Sequence, residues 1–148
     1  MNHRIQVVYF DLGETLVRTP RTWLPGAKST LSRLSQLGYL LGIASNTAGL
    51  TTRQEILALL PTDFPLSRFT PNLVLFSSEI GVAKPELAFF RRAVVQTQLD
   101  AQKSLFISED ALDVLAAQAV GMRALKIATG SRDVTQLEQI LAKFDALS

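Results

Sequence analysis

The sequence predicts an α/β protein: one Rossmann-like, three-layer α/β/α domain built on a mostly parallel five-stranded sheet. Three observations lead there. Short apolar runs rich in β-branched and aromatic residues alternate with longer stretches of helical spacing, which is the pattern of βαβ units. Glycine and proline punctuate the joins, as at Gly38, Pro61 and Gly121. The 148 residues, 47% of them apolar and 19% charged, are enough for one buried core.

The elements follow in order. Residues 5–10 (IQVVYF) read as the first strand. A polar, proline-containing flap over 18–25 separates it from a helix over 27–37, where Leu31, Leu34 and Leu37 recur at helical spacing and Gly38 supplies the C-cap. Residues 39–44 (YLLGIA) form the second strand, ending at Ser45-Asn46-Thr47. A helix over 51–60 stops at Pro61, and the prolines of 61–71 mark a loop. The third strand is 73–76 (LVLF). A helix opens at Lys84-Pro85 and runs to about 98, with Pro85 suited to its first position. The fourth strand is 104–107 (SLFI), an Ala-rich helix spans 111–120, and 122–127 is the fifth strand. The last helix, within 134–147, places Val134, Leu137, Ile140, Leu141 and Phe144 on one face, which is expected to pack on the domain. The whole chain, 1–148, therefore reads as a single domain.

Composition narrows the function classes. A formal charge of +2, with Arg91-Arg92 as the one adjacent Lys/Arg pair, does not suit a nucleic-acid binder. There is no cysteine, which removes disulfides, thiolate nucleophiles and Cys-bound metals. His3 is the single histidine, so histidine catalysis has little to work with. No apolar run reaches the roughly 18 residues of a membrane span, and the N-terminus lacks a signal-peptide pattern. The expectation is a cytoplasmic protein, monomeric or weakly self-associating, with no membrane or nucleic-acid partner.

In a parallel sheet of this kind, ligands sit beyond the carboxyl ends of the strands. There the sequence puts Asp11 after the first strand, Ser45 and Asn46 after the second, Ser77 and Ser78 after the third with Lys84 further on, and Ser108, Glu109, Asp110 and Asp113 after the fourth. Acids, hydroxyls and one lysine at a single edge suit phosphoryl chemistry. A carboxylate can accept a phosphoryl group covalently. Carboxylates repel phosphate unless a divalent cation lies between, and Mg²⁺ favours such oxygen ligands. A lysine can neutralise charge on both partners. A strand-terminal Asp also caps turns, a Ser-Asn pair also makes one, and an exposed Lys commonly precedes a helix, so no single residue decides the matter.

The motifs VVYFDLGETL, IASNT, GVAKPELAFF and FISEDALDVLAAQAVGM together resemble the haloacid dehalogenase-like (HAD-like) superfamily of hydrolases, in the order that family uses and across roughly residues 5–127. The resemblance implies Asp11 as the catalytic nucleophile and Lys84 as the residue contacting nucleophile and phosphate. It implies Thr15, Ser45, Asn46 and Lys84 around the phosphate. Mg²⁺ would be held by Asp11, the backbone carbonyl of Gly13, Glu109 and Asp113, with Asp110 as an alternative ligand.

Two positions depart from the pattern. Gly13 stands where related phosphatases carry a second Asp as general acid/base, and neighbouring Glu14 is poorly placed to replace it. Ser108-Glu109 replaces the usual Gly-Asp. A positioned general acid/base contributes about 10²–10⁴-fold in rate, or about 3–5 kcal/mol of barrier, so its loss implies a slow enzyme before it implies a dead one. The reading is an Mg²⁺-dependent phosphatase working through an aspartyl-phosphate on Asp11; the alternative is a catalytically inactive HAD-like binding or regulatory module. Neither interval between motifs has room for a cap domain, so an open site and bulky phosphorylated substrates are expected. Dehalogenase and phosphonatase chemistry, which depend on cap residues, are disfavoured. Arg18, Arg21 and Trp23 lie near the expected entrance, with Trp23 read as a loop anchor rather than a substrate stack.

Overall fold

A computed structural model describes residues 5–47, 49–127, 139 and 141–142. Its strands are β1 (Val7–Phe10), β2 (Val17–Arg18), β3 (Thr22–Trp23), β4 (Leu40–Ser45), β5 (Val74–Phe76), β6 (Ser104–Ser108) and β7 (Arg123–Lys126). Its helices are α1 (Ala27–Gln36), α2 (Arg53–Leu57), α3 (Ser77–Ile80), α4 (Leu87–Thr97) and α5 (Ala111–Ala119). Five strands form a parallel sheet in the order β5-β4-β1-β6-β7, and β2 and β3 form a separate antiparallel hairpin. The α/β fold and the five-stranded parallel sheet are as the sequence predicts.

The chain lays down β1, β4 and β5 in one direction, then returns to β6 and β7 on the other side of β1. Strand order therefore reverses at β1, and the crevice at its carboxyl end is the place such sheets reserve for ligands. All four residues of β1 are buried, as expected for a central strand covered on both faces. Alternation sends Val8 and Phe10 to one core, with Leu31, Leu34, Ile43 and Ile107, and Val7 and Tyr9 to the other, with Phe89, Phe90, Phe106 and Ala117. The three layers follow from that split.

Several boundaries differ from the sequence reading for local physical reasons. The flap contains the β2–β3 hairpin, because Trp23 stacks on Phe64 (5.4 Å) and its indole N–H donates to Asp63 (2.8 Å), anchoring the hairpin as a loop anchor would. The helix expected over 51–60 is shorter: Thr52 and Glu55 form a capping box, and the regular turns end at Leu57. The 61–71 loop holds 3₁₀ turns at Leu66–Arg68 and Pro71–Leu73. Helix α3 was not anticipated. Pro85 is not the first residue of its helix, which begins at Leu87 after Glu86 as N-cap. The residue before Pro85, Lys84, has its N–H and C=O tied by the Asn46 side chain to the end of β4. The last predicted helix lies outside the described residues except for 139 and 141–142, among which Leu141 is buried in the core shared with α1.

One close approach fixes the central register. Gly42 sits opposite Tyr9 in the β1–β4 ladder, and a Cβ there would meet the Tyr9 ring at 2.6 Å and the Leu73 carbonyl oxygen at 2.9 Å. Tyr9 cannot swing away, because its hydroxyl donates to the Ala93 carbonyl (2.7 Å) and its ring is fully buried. Gly42→Ala should therefore lower the stability to denaturant by about 1–3 kcal/mol, as overpacked cores do. An unchanged unfolding midpoint would contradict this packing.

Candidate active site

Asp11 follows the last residue of β1, and its backbone N–H still donates to the Ile107 carbonyl (3.1 Å), so the residue is held by the sheet itself. One carboxylate oxygen, Oδ1, accepts from the Leu12 N–H at 2.8 Å and lies 3.0 Å from the Lys84 ammonium. The other, Oδ2, accepts from the Ser108 hydroxyl at 3.2 Å. Lys84 also reaches Asp113 Oδ2 at 3.3 Å and sits over the Phe106 ring, 5.4 Å from its centre. Lys84 is only 5% exposed. A buried ammonium is tolerated only when it is paired, and here two carboxylates and an aromatic face do so.

Backbone ties fix where that ammonium points. The Asn46 amide donates to the Lys84 carbonyl and accepts from the Lys84 N–H, both at 2.9 Å, clamping the lysine's loop to the end of β4. Thr47 binds the same loop region: its N–H donates to Ser77 Oγ (2.8 Å), and its hydroxyl pairs with Ser78 Oγ (2.7 Å) and accepts from the Ser78 N–H (3.0 Å). Thr15 is fully buried, and its hydroxyl accepts from the Glu109 N–H at 3.3 Å, fastening the turn after β1 to the turn after β6. Asp110 is the N-cap of α5, accepting from the Leu112 and Asp113 N–H groups at 2.9 and 3.1 Å. That cap sets the first turn of α5, and Asp113 projects from it toward Lys84.

Electrostatics single out Asp113. Burial, the largest cause, pushes its carboxyl above the usual carboxylate range; Lys84 pulls it down, and the negative charges of Asp110 and Asp11 push it up. The site thus holds more carboxylates than its one lysine can neutralise.

Of the residues the sequence nominates, Asp11, Lys84 and Asp113 are in direct contact. Thr15 and Asn46 hold the loops around them. Ser45, buried, ends β4 in the row beside Asp11, paired in register with Phe76. Gly13 is exposed in the turn after β1, and a Cβ there would meet nothing within 4 Å. Glu109 gives its backbone N–H to Thr15, and among the described residues no group of three or more His, Cys, Asp and Glu side chains gathers as a metal cage. Glu14, with φ 60°, makes a two-pronged pair with Arg18 at 2.7 and 3.0 Å. Arg21 is tied to the Ala58 carbonyl.

The sequence reading puts Ser108 at the strand end among these groups but gives it no role of its own. It is fully buried, donates to Asp11 and accepts from the Asp110 N–H (3.1 Å). The signal was available: a hydroxyl ending a buried strand beside the Asp11 strand must find a polar partner.

Residues 81–147 match the HAD-hydrolase-like family. Over 103 residues the chain is 33% identical to a glyceraldehyde 3-phosphate phosphatase of Pyrococcus abyssi, a match covering 69% of this chain and 41% of that protein. In fold it is similar to a HAD-superfamily hydrolase from Ehrlichia chaffeensis, with TM-score 0.75, 14% identity and coverage of 97% and 98% of the two chains. It is also similar to a HAD phosphatase from Thermococcus onnurineus, with TM-score 0.65, 26% identity and coverage of 81% and 58%. The chain spans less than half the length of the curated relatives it matches.

The raised pKa of Asp113 carries a sign. The native state binds this proton more tightly than the unfolded chain does, so its contribution is full below the unfolded carboxylate pKa and is lost as pH rises through the native one. Asn at this position cannot lose it. The stability of the wild type relative to Asp113→Asn should therefore fall as pH rises from about 3 to 7. Denaturant unfolding across that range, with a chelator present, checks it; a flat or rising difference would contradict it.

Proposed function

The chain belongs to the HAD-like hydrolase superfamily, and from that premise we propose that it is an Mg²⁺-dependent phosphohydrolase acting through a phosphoryl group carried on Asp11. The observation that carries this reading is the buried Lys84 ammonium between the carboxylates of Asp11 and Asp113. The phosphatase names of relatives support it.

Asp11 is the nucleophile. Its Oδ1 is engaged by Lys84 and the Leu12 N–H, which leaves Oδ2, held by the longer Ser108 bond, as the oxygen with lone pairs to spare. Oδ2 attacks phosphorus, the bond from phosphorus to the ester oxygen breaks, and the alkoxide leaves, taking its proton from solvent. Water then attacks the aspartyl-phosphate, releasing phosphate and restoring the carboxylate. Lys84 offsets charge on the nucleophile and on the phosphoryl oxygens as the group arrives. On this reading Ser45 and the N–H groups of Gly13 and Asn46 line the phosphate. Asn46 and Thr15 act through the loops they hold.

The donor set fits Mg²⁺. Two carboxylates, Asp11 and Asp113, with the Gly13 carbonyl, are hard oxygen ligands of the number this ion takes from protein, and Asp110 is already committed to capping α5. When bound, Mg²⁺ would offset the excess negative charge and let a phosphate approach. Glu109 would act through water rather than as a direct ligand.

Gly13 supplies no proton to the departing alcohol, and Glu14 is occupied by Arg18. Good leaving groups are favoured for that reason. The same feature favours a second reading, a HAD-like binding or regulatory module without turnover. Among the described residues between Asp11 and Lys84 the chain builds the hairpin, α1, α2, short turns, β4, β5 and α3 with no inserted cap, which favours a substrate approaching an open site.

p-Nitrophenyl phosphate should be hydrolysed with Mg²⁺, and Asp11→Asn should abolish the turnover. Gly13→Asp enters open space and should raise kcat on alkyl phosphates by up to about 10²–10⁴-fold. A folded wild type inactive with Mg²⁺, and not rescued by Gly13→Asp, would select the binding module.

A further inference from the structure

Gly13 bears on both halves of the proposed reaction, and unequally. A group that protonates a departing alcohol is also the one that takes the proton of the water attacking the intermediate, since one position serves both steps. Gly13 does neither, and a Cβ there would meet nothing within 4 Å. A donor whose leaving group departs as a stable anion needs no proton in the first half. The water of the second half must still lose one.

The neighbouring carboxylates do not fill the gap. Glu14 is held in the two-pronged pair with Arg18 (2.7 and 3.0 Å), Asp110 caps α5, and Asp113 lies against Lys84. Glu86 and Glu109 are left, and among the described residues neither carboxylate makes a hydrogen bond or ion pair with Asp11, Lys84 or Ser108. The single histidine, His3, lies outside the described residues. A group placed on Asp11 is sheltered as well. The Asp11 side chain is 13% exposed, and the buried Lys84 ammonium, 3.0 Å from Oδ1, offsets added negative charge.

We infer that Asp11 retains its phosphoryl group: loading outpaces hydrolysis, and with a suitable donor present the protein stands mostly as the aspartyl-phosphate. Its further function is then to hold a phosphoryl group. An acyl phosphate loads it by the simplest route. Asp11 Oδ2 bonds to phosphorus, the bond from phosphorus to the acyl oxygen breaks, and the carboxylate leaves with the electron pair and no proton. One mixed anhydride is broken and another is made, so the group stays on Asp11 in a form that can be passed to a further acceptor. The inference rests on the phosphohydrolase reading, because it needs Asp11 as the nucleophile.

Acetyl phosphate is the probe. The protein is incubated with it and Mg²⁺, the donor is removed by rapid desalting, and the phosphoryl group is followed over time by intact mass. Wild type should carry one group per chain and Asp11→Asn none. Gly13→Asp, which restores a base, should shorten the lifetime of the group by about 10²–10⁴-fold. Equal lifetimes in the two proteins would overturn the inference, which assigns retention to Gly13. So would a short wild-type lifetime that Glu109→Gln or Glu86→Gln prolongs, since that glutamate would then be the base. Steady phosphate release without labelled protein would overturn retention and leave the phosphohydrolase reading standing. A folded protein showing neither label nor phosphate release would remove both.

Discussion

The buried ammonium of Lys84 is the point on which the rest of the structure depends. Taking an ion out of water costs several kcal/mol, and removing one partner of a buried pair typically costs about 3–5 kcal/mol. Lys84 is buried because Asp11 and Asp113 arrive at its two sides and the Phe106 ring lies beneath it. Those partners come from three separate parts of the chain. Asp11 is delivered by β1, Asp113 by the first turn of α5, and the aromatic floor by β6. The ion pairs therefore exist only once the sheet has brought β1 and β6 side by side, so assembling the fold and assembling the site are one event.

Around that centre the polar side chains divide their work. Ser108 and the Leu12 N–H orient the Asp11 carboxylate, Asn46 clamps the backbone of Lys84, and Thr15 joins the turn after β1 to the turn after β6. Asp110 is spent on a helix cap, its carboxylate accepting from the Leu112 and Asp113 N–H groups. Burial holds Asp113 against its ordinary tendency to ionise, and Asp110 and Asp11 add to that cost. A carboxylate kept at such expense suits charge chemistry better than scaffolding. Gly13 cuts the other way, since the open space at that turn contains no proton donor. On the proposed reaction, Lys84 and its carboxylates favour holding a phosphoryl group, and Gly13 leaves the departing alcohol without a proton donor.

Much of this was legible in the residues. The apolar runs that became β1, β4, β5 and β6 were readable because a strand covered on both faces is apolar along nearly its whole length, whereas the edge strand β7 carries Arg123 and Lys126 and is only partly buried. Asp11, Lys84 and Asp113 were readable because polar groups placed at strand ends and helix starts share one edge of a parallel sheet. The β2–β3 hairpin was not, since its two-residue strands depend on Trp23 finding Asp63 and Phe64, 40 residues and more away. The start of α4 was misplaced for a similar reason. Pro85 obeys a local preference for first helical positions, but the segment before it is held by Asn46, 38 residues earlier, and the helix opens at Leu87.

Local chemistry in the sequence thus determined the class of fold, the order of its elements and which residues end each strand, because periodicity and burial act over a few residues. Only the tertiary structure decided which of those residues meet. It paired Lys84 with Asp11 and Asp113, gave Asp110 to the helix cap, turned Glu14 to Arg18, and made Ser108 a partner of Asp11. The physical reason is that a charged or hydroxyl side chain is content with any complementary partner of suitable geometry. Which partner it finds is set by the packing of distant segments.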